Sequence, residues 1–206
     1  MRRLLAASTV LLLSACGGSG SGSQSGAGSV SGGSGGGGIA SYGLQAPDVP
    51  SGFVACPESG DVSTSANSDV KAEWQYQQKQ GAAAGYIKVW GATTGDCESM
   101  IVAGPGSQSG GSKRLMASVV LRFGDSVGAQ KGYRGAFGVN PSSIATIPGS
   151  GSGSALGLGS NSAYGYGFAA GEADWQKDVY MVGIVEQNLA ESDLKKAIAD
   201  VNARVP

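Results

Sequence analysis

The 206-residue chain contains no His, which narrows its chemistry before any motif is sought. His-based triads, His general bases and most zinc or copper sites are removed. Two Ser-x-x-Lys spacings remain, Ser68 to Lys71 and Ser192 to Lys195, each at the start of an expected helix. Such a spacing can set a Lys base one turn from a Ser nucleophile, but no Lys-Thr-Gly follows. N-capping explains Ser at these positions without catalysis. Acidic groups occur as Asp96 with Glu98 and as Glu172, Asp174 and Asp178. Calcium takes six to eight oxygens, and neither group has EF-hand spacing, so both read as solvated loop charge. The Gly-rich stretches hold no Gly-Lys-Ser or Gly-Lys-Thr phosphate loop. No catalytic residue, cofactor or metal is therefore assigned.

Aromatic residues offer the remaining site. Tyr164, Tyr166 and Phe168 form one stripe at period two, and Tyr86 and Trp90 form another. Such stripes read first as core. Gly165 and Gly167 leave the opposite face bare, which lets a helix, loop or ligand approach the backbone closely. If that face lines a cleft beneath residues 140–162, the candidate ligand-binding residues are Tyr86, Trp90, Tyr164, Gly165, Tyr166, Gly167 and Phe168.

At the N-terminus, Arg2 and Arg3 precede an apolar run from Leu4 to Ala15, and Leu13-Ser14-Ala15-Cys16 closes it. Twelve residues make about 18 Å of helix against about 30 Å of bilayer hydrocarbon, too short to span. A basic start, a short apolar run and small residues before a cut describe a secretory signal peptide. With Cys16 directly after Leu-Ser-Ala, the stretch resembles the lipobox of bacterial lipoproteins. The resemblance covers the first 16 residues. It implies a diacylglyceryl group on the Cys16 thiol, cleavage between Ala15 and Cys16, and acylation of the new amino group. Buried methylenes contribute about 0.8 kcal/mol each and stable anchoring takes about two chains, so such an attachment is effectively permanent. Gly17 in place of Asp implies no inner-membrane retention signal in a two-membrane cell. An ordinary signal peptide with a chance Cys is the alternative.

With Cys16 lipidated, Cys56 and Cys97 are the only thiols left in an oxidising compartment, and a disulfide between them is expected. A redox-active or metal-binding pair is the alternative, without Cys-x-x-Cys spacing or an accompanying His. Loss of Arg2 and Arg3 leaves 12 basic residues against 15 acidic ones, a formal charge of −3. No basic patch emerges, so no nucleic-acid partner is expected.

The elements that must hold these residues follow a segment too rich in glycine to fold. Residues 17–38 include twelve Gly among twenty-two positions and form a tether on the order of 26 Å from end to end. The chain thus divides into a signal peptide (1–15), a lipidated Cys with its Gly/Ser tether (16–38) and one extracytoplasmic domain (39–206). Within the domain the pattern predicts strands at 53–56, 85–91, 98–103, 115–123, 163–168 and 178–186. Helices are expected at 68–80, with Ser68 as N-cap and Val70 and Trp74 facing in, and from Asp125 or Ser126 to about Phe137, with Val127, Tyr133 and Phe137 aligned. A last helix from Ser192 would bury Leu194, Ala197, Ile198 and Val201. Residues 171–174 read as an acid-rich turn, and 140–162 as a long loop packed across the domain, a possible lid. The order predicts an α+β fold, a two-layer antiparallel sheet with helices packed on one face. In outline this element order is similar to sheet-plus-helix lipoprotein domains of the PsbP-like type, a likeness that brings no functional residues.

The expected function is a non-catalytic, lipid-anchored binding or interaction module of the bacterial cell envelope. It would be attached to the membrane through Cys16 on the extracytoplasmic face, at the periplasmic side of an outer membrane or the cell surface, and would meet an envelope protein or a small ligand. A small-molecule or lipid carrier with a pocket beside residues 164–168 is the alternative. A Ser-Lys or carboxylate enzyme is a third reading, which converging carboxylates of raised pKa would revive.

Overall fold

The computed structural model describes residues 38–99, 113–134, 150–167 and 170–206. The signal peptide, Cys16, the tether to residue 37, residues 100–103 of the expected third strand, the 104–112 loop, Phe137, residues 140–149 and Phe168 lie outside the described residues.

Seven antiparallel strands form one sheet: β1 (Val54–Ala55), β2 (Gly60–Asp61), β3 (Ala82–Gly91), β4 (Leu115–Phe123), β5 (Ser162–Gly167), β6 (Ala170–Lys177) and β7 (Tyr180–Gln187). Their order is β1-β3-β4-β7-β6-β5, with β2 also paired to β3. The expected α+β fold with an antiparallel sheet is the one observed. Three α-helices accompany it among the described residues: α1 (Ser68–Lys79), α2 (Ser126–Arg134) and α3 (Glu191–Arg204).

Helices cover both faces of the sheet rather than one. On the first face, rungs such as Tyr86–Val120–Val182–Trp175 meet Leu194, Ala197, Ile198 and Val201 of α3, together with Ile39, Leu44 and Val49 of the N-terminal segment. On the second face, Leu121, Phe123 and Met181 meet Val70 and Trp74 of α1 and Ala129 and Tyr133 of α2. The physical reason is β4, which buries residues of both sides. Its Met116, Ser118 and Val120 are as buried as Leu115, Ala117 and Leu121, so no side of this strand is left for water. A three-layer arrangement results.

Local chemistry sets the helix ends. Asn67, not Ser68, caps α1, its Oδ1 accepting from the Val70 N–H at 3.0 Å. Gly81, at φ +98°, ends the segment in a conformation that favours glycine. Asp125 caps α2 by accepting from the Gly128 N–H at 2.7 Å. Val127 does not face inward as expected and is 59% exposed, whereas Ala129 is fully buried. Gly132 explains the rotation: a Cβ there would run into the Phe123 ring and the Gln77 side chain, so α2 approaches the sheet through this glycine. Gly132→Ala should cost about 1–3 kcal/mol, read as a lower urea midpoint at unchanged slope.

Two clasps tie distant segments together. Cys56 and Cys97 form the expected disulfide, with Cα atoms 5.4 Å apart and a sequence separation of 41. Arg204 near the end of α3 pairs with buried Asp48 and donates to the Gly43 carbonyl at 3.0 Å. The Leu44 N–H donates to Ser118 Oγ at 2.9 Å, fixing the N-terminal segment over β4. Of the long loop, residues 150–161 run along β5: Gly151 bridges to Tyr164, a 3-10 turn spans Gly153–Leu156, and Leu158 is buried in the first-face core.

Candidate functional site

The segment expected to be an acid-rich turn is β6, an interior strand between β5 and β7. Strand alternation therefore sends Glu172 and Asp174 to the same face, two positions or about 7 Å apart along the backbone. That face is the second one, and apart from Val185 beside Glu172 the cross-strand neighbours there are small. Glu172 lies opposite Gly165 on β5, and Asp174 lies between Ala163 on β5 and Gly183 on β7. A Cβ at Gly183 would sit 2.7 Å from Asp174 Oδ1, so the Asp174 carboxyl leans across β7 through a space that only glycine leaves open. α2 packs over this region and brings Tyr133 near Asp174.

These acids are not solvated. Glu172 is 0% exposed and Asp174 2%, and neither Glu172 oxygen nor Asp174 Oδ2 has a hydrogen-bond partner among the described residues. Burial pushes the Glu172 carboxyl up to about 8. Burial and then the negative charge of Glu172 hold Asp174 well above the usual carboxylate range. Tyr133 is pushed up to about 12, first by burial and then by Asp174. At neutral pH at least one proton is retained on the pair, because two desolvated carboxylates side by side would repel with nothing to offset either charge. Protonated, they donate hydrogen bonds; ionised, they would bind a cationic or strongly donating group.

The aromatic candidates occupy the other face. Tyr164 and Tyr166 point from β5 towards the start of α3, the Tyr164 O–H donating to Glu191 Oε1 at 2.7 Å and the Tyr166 O–H to the Leu189 carbonyl at 2.8 Å. Lys195 Nζ stands 5.9 Å from the Tyr164 ring and 2.9 Å from Glu191. Burial and the Glu191 bond raise the Tyr164 pKa, and the same Tyr164 bond is the first cause lowering that of Glu191. Glu186 of β7 lies beside this group; burial pushes it up to about 8, its Leu189 N–H bond pulls the other way, and Asp193 adds to the rise.

The structure thus brings Tyr164 and Tyr166 together but sets Tyr86 and Trp90 four strands away on β3, about 19 Å across the sheet. All four pack against the first-face core. Gly165 and Gly167 are on the second face, and it is Gly165 that adjoins the acid pair. Asp96 is half-buried and accepts from the Thr93 N–H and O–H at 2.8–2.9 Å; the loop-charge reading holds for Asp178, exposed in a turn at φ +51°. It fails for Glu172 and Asp174, which strand pairing carries inside.

The Ser-Lys spacings do not assemble a catalytic pair. Ser68 and Lys71 are both exposed, and Lys195 is engaged by Glu191. Capping by Ser is not observed at α3 either, where Asp193 Oδ2 accepts from the Ala190 N–H at 3.3 Å. The signal that could have marked β6 was present: Glu172, Asp174 and Gln176 alternate with Ala173 and Trp175, period two in a stretch whose acids suggested a turn. No protein-family model, no curated protein and no solved structure matches the chain.

Proposed function

We propose that this chain is a lipid-anchored, extracytoplasmic binding module of a bacterial envelope, held through Cys16, with the floor of Gly165, Glu172, Asp174 and Gly183 as its site. The observation that carries the reading is Glu172, a fully buried carboxyl with neither oxygen partnered, on an interior strand. Buried polar groups are nearly always satisfied, and leaving a charge-bearing one unsatisfied costs several kcal/mol at roughly the scale of a whole domain's stability. A ligand or partner group rich in hydrogen-bond donors, entering beneath α2, would offset that cost. The disulfide supports an oxidising compartment. Packing of Tyr164 and Tyr166 against the α3 core weighs against a carrier pocket on their side of the sheet.

A carboxylate enzyme is the second reading. It is favoured by Glu172 retaining its proton up to about 8, as a general acid must near neutral pH. Against it, both carboxyls are buried in this conformation and would have to be uncovered for a substrate.

Two measurements test the proposal. Thermal shift of the full mature chain against polyamines, amino acids, sugars, lipids, haem and metal ions should reveal a stabilising class. Saturation at a hundred times Kd contributes about 2.7 kcal/mol. The shift should vanish in Glu172→Gln; a shift that persists there removes this site from the reading. Separately, Cys16→Ser should move the protein from the membrane to the soluble fraction, and unchanged fractionation would end the anchor proposal.

A further inference from the structure

Cys56, Glu58 and Cys97 gather beside β3, where the two cysteines pack with Val89 and Ala117. The two sulfurs and a Glu58 carboxylate oxygen all lie within 4.8 Å of one another. Cys56 and Cys97 are buried, Glu58 is half-buried, and Glu58 Oε2 is itself buried without a hydrogen-bond partner. A carboxylate held close to two sulfurs, with one buried oxygen met by no donor, would complete a ligand set once the bond between the sulfurs is broken.

We propose that reduction of the Cys56–Cys97 disulfide converts this corner into a site for a zinc-like divalent ion, with Cys56, Cys97 and Glu58 as ligands and water in the fourth position. A dithiol reductant supplies two electrons and two protons, the S–S bond breaks to two thiols, and the reductant leaves as a disulfide. Metal binding then displaces both thiol protons to solvent and takes the Glu58 carboxylate as third ligand. Two thiolates and a carboxylate suit zinc, and three protein ligands leave one position open. The sulfurs would stand about 3.8 Å apart, the edge of a tetrahedron with about 2.3 Å bonds.

The ligands are held by contacts that do not depend on the S–S bond. The Cys56 N–H donates to the Val89 carbonyl at 2.8 Å, and the Ser59 N–H closes a turn onto the Cys56 carbonyl at 3.1 Å. Ser59 Oγ accepts from the Val89 N–H at 2.9 Å, so the turn bearing Glu58 is fastened to β3 at both ends. On the other side, Asp96 Oδ2 accepts from the Thr93 N–H at 2.9 Å and pins the 3-10 turn Thr94–Ser99 that carries Cys97. A metal could therefore replace the covalent link as the crosslink between the same two turns.

The test uses the full-length chain with Cys16→Ser, which leaves Cys56 and Cys97 as its only cysteines. Equilibrium dialysis against zinc should give one ion per reduced chain and none per oxidised chain. Cobalt in place of zinc should give a thiolate-to-metal charge-transfer band, and zinc should raise the Tm of the reduced protein. Glu58→Gln, which keeps the disulfide and the shape of the side chain, should weaken zinc binding by about tenfold or more. Failure of the reduced chain to take up zinc overturns the proposal. So does uptake that Glu58→Gln leaves unchanged, since that is the behaviour of two thiols alone. If the reduced chain unfolds without metal, zinc must restore its circular dichroism for the proposal to stand.

Discussion

Raising the pH from about 5 to about 9 should lower the unfolding free energy of this domain by several kcal/mol, the reverse of ordinary acid denaturation. Glu172 and Glu186 each keep a proton up to about 8 in the fold, against an ordinary value of 4.5, and Asp174 is raised as well. Between those values the folded chain binds more protons than the unfolded one. Stability is therefore fully present below the ordinary carboxylate range and is lost as pH rises through the folded value. The loss belongs to Glu172 and Asp174 as a pair, whose carboxyls burial raises together, and to Glu186. Glu172→Gln cannot ionise, so it should flatten the curve and leave the variant more stable than the parent above about pH 8. Urea unfolding across the pH range reads both curves. Parallel curves would show that Glu172 is not buried as a carboxylic acid.

The double change Cys56→Ala with Cys97→Ala should cost about 4 kcal/mol on the chain-entropy account of a crosslink closing roughly 40 residues. Both cysteines are 3% exposed or less and sit with Val89 and Ala117, so alanine also leaves small voids in that cluster. The expected fall in Tm is about 10 °C for a domain of this size. Differential scanning calorimetry of the variant, beside the parent with and without a reductant, measures it. The reduced parent should match the variant in the absence of metal ions; a fall below about 2 °C would mean that the turns at Cys56 and Cys97 are held by their backbone bonds alone.

What could be read from the residues was what repeats. β4 matches its expected 115–123 span, and α3 buries the four residues that its i, i+3, i+4, i+7 spacing selected, because in both the pattern and the burial coincide. β6 was hidden by composition. Glycine and acids disfavour strands in isolation, and only pairing with β5 and β7 overrides that preference. The candidate site suffers most from this, since its bare glycine was visible at Gly165 but the acids beside it passed for loop charge. The layering was not legible either. Whether α2 and α3 cover the same or opposite faces depends on which side each connection takes around the sheet, and periodicity carries no such information.

The meeting of Arg204 with Asp48 also has a bearing on timing. The first face is closed by the earliest described segment, around Ile39 and Leu44, and by the last helix, and the two are joined to each other across 156 positions. β4, moreover, finds its second neighbour only when β7 has been made. No shorter length of chain can complete this core, so a nascent chain would remain without it until the final turn of α3 is free. High separation between contacting residues slows folding, and here closure of the core also waits for α3. A core that waits for α3 leaves the strands made before it without their first-face cover until that helix arrives.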